Sequence, residues 1–301
     1  MPNLTTFGFE FEVQTEAPAL VRELYELGHI AMEQMHRWHC DCFQCTAIDT
    51  EPEFSQFMYK AQTDSSCSGE VISRILHHDP TNPRYRGDVF YVLQQAALDV
   101  DAEPGPQAGM HVHVGIDHMS EQDKADAIWA FVKYEPVLLR IAAGRWHNHR
   151  GGNSTLRETC QWALRDWGFD AAGSGAWSDA QEHNEYPRLR RQLLAFHQRN
   201  DRHSNLNVNT GHGTFEYRLW NSTRSAWRME LFTRLSVALV DPVVTAVLNA
   251  EEFPTRVSKA RAVRLAEILD QCEHAEAASL LARHIEYSWT AAANAPSTLT
   301  A

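Results

Sequence analysis

Four segments of the chain alternate polar with apolar residues, as a β-strand with one buried face requires. Successive side chains of a strand point to opposite faces, so each segment would keep its acids or imidazoles on one side. If the four strands share a sheet, its polar face gathers seven side chains: Glu10, Glu12, Glu70, His111, His113, Glu216 and Arg218. The pattern predicts a sheet that is apolar and helix-covered on one face and charged on the other.

The remaining sequence predicts an α+β fold, with helices between the strands and at the end of the chain. The expected strands are Leu4 to Gln14, Phe54 to Thr63, Gly69 to Leu76, Met110 to Ile116, Leu206 to Val208 and Thr214 to Trp220, the last alternating throughout. The expected helices are Pro18 to Leu27, Tyr91 to Leu98, Ser120 as N-cap through Ala143, Pro187 to Gln198, and the ranges Arg224 to Ala250 and Ser258 to Trp289. We expect one domain over residues 1–290 and a disordered tail at 291–301.

Charge and hydropathy exclude two classes of partner. The chain carries 27 Lys and Arg against 39 Asp and Glu, a net charge of −12, and no basic block stands out. Nucleic-acid binding needs clustered cations, so we expect no nucleic-acid partner. No apolar run approaches the roughly 18 residues of a membrane span, and the first residues lack the pattern of a signal peptide. We therefore expect a cytoplasmic protein without a membrane partner.

The charged face predicts a metal site. Carboxylates packed side by side repel one another unless a cation neutralises them. Carboxylate oxygens with one imidazole suit Mg²⁺ or Mn²⁺, and two such ions can bind the phosphates of a nucleotide. The alternative for each single motif is a face exposed to water, because polar residues alternate on such a face as well. The recurrence of the pattern on successive strands favours the metal site.

Five short motifs in order resemble those of the amidoligases, which are carboxylate-amine ligases related to glutamine synthetase and glutamate-cysteine ligase. They are FGFEFE (7–12), DSS (64–66) with GEVIS (69–73), GMHVHVG (109–115), DRHSNLN (201–207) and TFEYRLWNST (214–223). Each motif is short, but the ordered set is fairly specific. The resemblance implies a glutamine-synthetase-like antiparallel sheet with helices on one face and the active site on the other.

The resemblance also implies roles for single residues. Glu10, His111 and Glu216 resemble ligands of the metal at the terminal phosphates of ATP, and Glu12 and Glu70 resemble ligands of a metal nearer the acceptor carboxylate. The residues that resemble nucleotide or substrate contacts are His113, Arg218, Arg145, Arg202 and Asn207, and Asp64 occupies the polar turn of the family. Arg74 stands where the family usually has a proline, which leaves substrate recognition or the end of that strand in doubt.

The reaction implied is formation of an amide bond through an acyl phosphate. ATP would phosphorylate a carboxylate, and an amine would then displace phosphate. Glu70 or Asp64 is the candidate for accepting the amine proton, and Arg218 for stabilising the transferred phosphoryl group. The acceptor could be a small molecule, a peptide, a cell-wall fragment or a protein side chain. Two alternatives remain at this point, namely a metal-dependent hydrolase that uses the His and Glu cluster and a non-catalytic binding module of the same fold.

A second cluster lies in an apparent insertion at about residues 31–53. Cys40, Cys42 and Cys45 follow His36 and His39 in the pattern H-x2-H-C-x-C-x2-C. Thiolates with imidazole select zinc, and a four-ligand site would stabilise a segment that has little core of its own. The spacing is not that of a standard zinc finger, and His39, His36 and Cys67 are alternatives for the fourth ligand. Reduced thiols without metal are the other interpretation.

Overall fold

The computed structural model describes residues 5–37, 40, 42–48, 50–51, 54, 56–64, 67–77, 86–105, 108–143, 205–208, 213–251 and 257–293. These residues form two compact units. The sheet unit comprises the described residues up to Met119 and from Asn205 to Val237, and the helical unit comprises Ser120 to Ala143 and the residues from Ala238 onward. A single domain over 1–290 stays a prediction, and the predicted helix from Pro187 to Gln198 lies outside the described residues.

The sheet unit contains one sheet of seven described strands, and every pair of neighbours is antiparallel. The strands are β1 (Thr6–Val13), β2 (Tyr59–Gln62), β3 (Gly69–Ser73), β4 (Leu76–His77), β5 (Gly109–Gly115), β6 (Leu206–Asn207) and β7 (Thr214–Asn221). Their order is β2-β3-β1-β5-β7-β6, and β4 pairs with the beginning of β1. The α+β class and the antiparallel sheet are therefore confirmed, and the predicted strand from Gly69 to Leu76 is two strands, β3 and β4, which both pair with β1.

The described residues form eight helices in addition to the sheet. They are α1 (Ala17–Glu26), α2 (Phe43–Ala47), α3 (Val89–Asp99), α4 (Glu121–Ala143), α5 (Ala226–Ala238), α6 (Pro242–Ala250), α7 (Lys259–Gln271) and α8 (Ala275–Ala293). The ranges Arg224 to Ala250 and Ser258 to Trp289 thus contain two helices each. None of the eight is by itself long and apolar enough to cross a membrane, whereas α5 and α6 counted together reach that length and hydropathy.

Helices of the sheet unit cover the apolar face of the sheet. Phe9 of β1 is buried and contacts Phe90 of α3, with 5.2 Å between ring centroids. Trp220 of β7 stacks on Phe232 of α5, with 4.7 Å between centroids and an interplanar angle of 8°. Aromatic rings bury a large apolar area each, so these two contacts hold α3 and α5 against the sheet. The opposite face of the sheet carries the polar side chains.

A β-bulge interrupts the alternation of β7. Met110 of β5 pairs with Trp220 and Val112 pairs with Tyr217, so Arg218 and Leu219 lie opposite His111 alone. Such a bulge adds one residue to a strand and shifts the phase of its side chains. Trp220 therefore shares the apolar face with its partner Met110, which strict alternation through Leu219 did not predict.

Helix α4 of the helical unit follows Ser120 and ends at Ala143, as predicted. The Ser120 hydroxyl oxygen accepts a hydrogen bond from the backbone N–H of Asp123 at 3.2 Å, and a carboxylate oxygen of Asp123 accepts one from the backbone N–H of Ser120 at 3.2 Å. This reciprocal arrangement satisfies two donors at the beginning of α4. In the same unit Lys133 of α4 is buried and donates to the carbonyl oxygen of Asn249, and burial lowers the pKa of Lys133 to about 8.

Asp241 separates α5 from α6. Its backbone is extended, and its carboxylate accepts a hydrogen bond from the backbone N–H of Val243 at 2.7 Å. The other carboxylate oxygen lies 3.1 Å from Nε2 of His274, in the turn between α7 and α8. Burial raises the pKa of Asp241, but the hydrogen bonds from His274 and Val243 outweigh burial and hold this pKa below its usual value. Asp241 therefore caps α6 and also contacts the turn between α7 and α8.

We expect Asp241→Ala to lower the free energy of unfolding by about 1–2 kcal/mol at neutral pH, because the helix loses its cap. Asp241→Asn keeps a capping oxygen and should cost less. A depressed carboxyl pKa stabilises the folded state above the unfolded-state pKa, and this stabilisation disappears as pH falls through the folded-state value. Urea unfolding should therefore show the gap between Asp241→Asn and wild type closing below about pH 4. An equal gap at pH 7 and at acidic pH would show that the charge of Asp241 does not stabilise the folded state.

Candidate functional site

The register of the sheet brings the predicted polar side chains together on one face. Residues directly opposite one another in antiparallel strands point to the same side. The cross-strand pairs are Glu10 with His111, Gly8 with His113, His113 with Glu216, Glu12 with Glu70 and Asn207 with Glu216. Five strands thus contribute side chains to a single polar face, which we call the acidic face.

Glu10, His113 and Glu216 form one group of possible metal-ligand atoms on this face. Each offers one atom, and the three atoms lie within 4.8 Å of one another. Nε2 of His113 is 3.3 Å from one Glu10 oxygen and 4.0 Å from one Glu216 oxygen. Two carboxylates and an imidazole at this separation could hold one divalent cation.

His111 lies between this group and a second pair of carboxylates. Its Nδ1 is 2.9 Å from Glu10 and 3.5 Å from Glu216, and its Nε2 is 3.2 Å from Glu12. The side chain is almost fully buried. Both imidazoles therefore reach Glu10 and Glu216, and the division of roles implied by the resemblance, with His111 on metal and His113 on phosphate, stays a prediction.

The protonation of this group depends on its close contacts. Burial raises the pKa of Glu10, but hydrogen bonds from His111 and His113 and their charge bring this pKa well below its usual value. Burial lowers the pKa of His113, but the hydrogen bond and charge of Glu10 and the charge of Glu216 raise it more, so it lies above its usual value. The carboxylates of Glu10 and Glu216 thus favour the protonated form of His113.

Glu12 and Glu70 form the second carboxylate pair. Glu12 accepts a hydrogen bond from the backbone N–H of Gly109 at 2.5 Å, and Glu70 accepts one from the side-chain amide of Gln62 at 2.5 Å. Burial and then the charge of Glu10 raise the pKa of Glu70 to about 8. A carboxyl group that titrates near neutral pH can accept or donate a proton under working conditions, which is what an acid-base catalyst requires.

The other predicted residues fall into three sets. Arg218 donates from Nη1 to one oxygen of Glu216, and Asn207 donates to the other oxygen at 2.7 Å, so both orient this carboxylate. Asp64 follows β2, and its charge contributes to the raised pKa of Glu70. Arg145, Arg202 and His39 lie outside the described residues.

Gln62 and Gly109 are contacts that the sequence analysis missed. Lys60 and Gln62 alternate with Tyr59 and Ala61 along β2, so the same two-residue period predicts Gln62 on the polar face beside Glu70. The donor at Gly109 is a backbone N–H group, which carries no signal in the sequence.

A second group of ligand atoms lies in the cysteine-rich segment. The Sγ atoms of Cys40, Cys42 and Cys45 are 3.3, 3.1 and 3.2 Å from Nδ1 of His36. Burial and then the neighbouring thiols Cys42 and Cys40 raise the pKa of Cys45 to about 12. The described part of the chain therefore contains a His and Cys cluster that could hold a metal such as zinc.

Among the described residues, the histidine of this cluster is His36. Cys67, another alternative for the fourth ligand, instead has its Sγ 3.2 Å from the carbonyl oxygen of Gly69. Backbone hydrogen bonds hold His36 in place. Its N–H donates to Ala61 of β2, and its carbonyl oxygen accepts from Thr63, which follows β2. Sequence spacing alone did not distinguish His36 from His39, since both precede the cysteines by a few residues.

No protein-family model matches the chain, and no curated protein matches it.

Proposed function

We propose that this chain is an ATP-dependent carboxylate-amine ligase of the amidoligase type, with a glutamine-synthetase-like fold and its active site on the acidic face. The observation that carries the proposal is the convergence of Glu10, His113 and Glu216 on one face of an antiparallel sheet, within 4.8 Å of one another. The ordered motifs in the sequence supply the reaction class, since a fold and a cluster by themselves fit several chemistries.

The donor set fits divalent cations that prefer oxygen. Glu10 and Glu216 with an imidazole would hold one Mg²⁺ or Mn²⁺, and the buried pair Glu12 and Glu70 would hold a second. Bound there, such ions neutralise the phosphate oxygens of ATP and polarise the phosphoryl group. The cofactor set of the proposal is ATP with Mg²⁺ or Mn²⁺ on the acidic face and Zn²⁺ in the His and Cys cluster.

The side chains position charge around the substrates. Arg218, oriented on Glu216, supplies a fixed positive charge for the phosphoryl group that moves from ATP to the acceptor carboxylate. The resulting acyl phosphate is attacked by the amine, the C–N bond forms and phosphate leaves. Glu70, or Asp64 whose charge acts on it, would accept the amine proton. The substrates are a carboxylate acceptor and an amine donor of small-molecule, peptide or protein origin.

A metal-dependent hydrolase is the second candidate, and one observation favours it. His111 and His113 both lie within 3.3 Å of Glu10 oxygens, and two imidazoles with carboxylates can also hold a zinc ion that activates water. This alternative predicts turnover without nucleotide.

A phosphate-release screen separates the two functions. The ligase predicts release of phosphate and ADP from Mg²⁺-ATP only when an acid and an amine are both present, across libraries of both. The hydrolase predicts an amine product from amide substrates without ATP. Release of an amine from amides without nucleotide, together with no acid-dependent phosphate release, would favour the hydrolase over the ligase. Nucleotide binding without turnover of any acid and amine pair would favour the non-catalytic binding module.

A further inference from the structure

The contacts of His36 exceed what hydrogen bonding can satisfy. A ring nitrogen of histidine offers either one proton or one lone pair, so it makes one good hydrogen bond in its plane. Three thiol sulfurs nevertheless lie 3.1 to 3.3 Å from the same Nδ1 atom. Four atoms that converge on a common centre are the arrangement expected of ligands around one ion.

The spacing fits tetrahedral zinc. Zn–S bonds of about 2.3 Å and Zn–N bonds of about 2.0 Å at tetrahedral angles put sulfur and nitrogen about 3.5 Å apart. The observed separations lie a few tenths of an ångström below this value. One imidazole with three thiolates is a common closed ligand set for structural zinc.

His36 is also the residue that joins this cluster to the sheet. Its backbone N–H donates to the carbonyl oxygen of Ala61 at 3.1 Å, and its carbonyl oxygen accepts from the N–H of Thr63 at 2.7 Å. It thus forms a parallel bridge with Gln62, and Ile30 forms another with Tyr59. β2 is the outermost of the described strands on this side of the sheet, and residues 29–36 pair with its free edge.

Gln62 lies between Ala61 and Thr63, the two residues that bond to the backbone of His36, and its side chain belongs to the acidic face. Its side-chain amide donates to Glu70, the buried acid on β3. On the other face of β3, Met35 packs closely against Gly69, since a Cβ atom there would lie 2.4 Å from the Met35 sulfur. Met35 therefore contacts Gly69, which precedes Glu70, and His36 bonds to the backbone on both sides of Gln62, which lies opposite Glu70.

We infer that His36, Cys40, Cys42 and Cys45 bind one structural Zn²⁺, and that this ion fixes the edge strand β2 so that Gln62 orients Glu70. The zinc site stands independently of the activity, whereas its effect on a metal ion at Glu70 rests on the proposed function. Binding releases the thiol protons, as metal binding by thiols requires. Partners that orient a metal ligand typically contribute ten- to hundredfold to affinity, so loss of zinc should weaken Mn²⁺ binding by about tenfold or more.

The first experiment tests the ion itself. Wild type purified with zinc should contain one zinc per chain by elemental analysis, and Cys42→Ser and His36→Asn should contain none. Cys272→Ser, a cysteine of the helical unit, is the matched control and should keep the metal. Cobalt exchanged into wild type should give thiolate charge-transfer and tetrahedral absorption bands, which do not depend on the folding of any variant. Wild type without zinc and without these bands overturns the site.

The second experiment tests the link to the acidic face. Zinc removal by Cys42→Ser should speed amide exchange at Thr63 and weaken Mn²⁺ binding as much as Gln62→Leu does, and the double variant should show no further loss. Unchanged exchange and Mn²⁺ affinity in zinc-free Cys42→Ser overturn the link while the zinc site stands. If Mn²⁺ does not bind wild type at all, the proposed function fails, and zinc content with amide exchange still decides the inference.

Discussion

We expect Glu216→Gln to reduce acid- and amine-dependent phosphate release by at least about 100-fold, because this change removes a charge from the centre of the acidic face. Glu216 pairs with His113 across the strands and receives hydrogen bonds from Arg218 and Asn207. A neutral amide of the same shape would leave Arg218 without its anionic partner and the proposed metal without a charged ligand. The loss should appear mainly in kcat, since charge stabilisation matters most in the transition state.

The matched control is Glu26→Gln, an exposed acid at the end of α1. It makes the same chemical change in the same unit and should leave turnover within about twofold of wild type. Circular dichroism and urea unfolding should show that Glu216→Gln remains folded. Undiminished phosphate release by the folded Glu216→Gln variant would remove Glu216 from the site.

The largest loss of stability should come from Trp220→Ala, which we expect to lower the free energy of unfolding by about 3–5 kcal/mol. Trp220 is fully buried, stacks on Phe232 and donates from its indole N–H to the hydroxyl of Ser236 at 2.9 Å. Alanine would remove the stack, leave a cavity between β7 and α5 and delete the hydrogen bond. Chemical unfolding followed by circular dichroism measures the difference.

Trp220→Phe separates the two contributions. Phenylalanine keeps a ring against Phe232 and loses the donor to Ser236, whose hydroxyl still donates to the carbonyl oxygen of Phe232. We expect this variant to lose roughly 1–2 kcal/mol, clearly less than alanine. Equal losses for both variants would mean that the hydrogen bond, and not the stack, holds α5 to the sheet.

The composition of the acidic face could be predicted because a strand has a period of two residues. Glu10, His111 and Glu216 each occupy the polar phase of a short alternating segment, and the sheet needs only antiparallel pairing to bring them together. The same rule could have placed Gln62 beside Glu70, since β2 alternates as well. Which side chains touch depends on the register of the strands, and this register cannot be read from the sequence.

Other features depend on tertiary contacts that no local pattern records. The bulge at Arg218 and Leu219 follows from fitting β7 against β5, and it carries Trp220 to the apolar face. The break between α7 and α8 contains no glycine or proline; Glu273 adopts a left-handed backbone there, with φ of 67°. Spacing does not distinguish His36 from His39. The backbone hydrogen bonds that fix His36 join it to β2, and the sequence does not record such a contact.

The charged groups of the acidic face are the basis of the proposed function. Four carboxylates, two imidazoles and a guanidinium occupy four neighbouring strands, and most of them are buried. A face exposed to water has no need of such burial, because its charges remain hydrated. The proposed divalent cations would account for the packing of these acids, and the proposed nucleotide would account for the arginine among them.

The most direct test is a crystal structure with Mn²⁺ and a non-hydrolysable ATP analogue, with data collected at the manganese absorption edge. The account predicts an anomalous peak within bonding distance of Glu10 and Glu216 and an imidazole, a second peak near Glu12 and Glu70, and the analogue phosphates against the first. Peaks only elsewhere on the protein, or an analogue bound away from the acidic face, would contradict it.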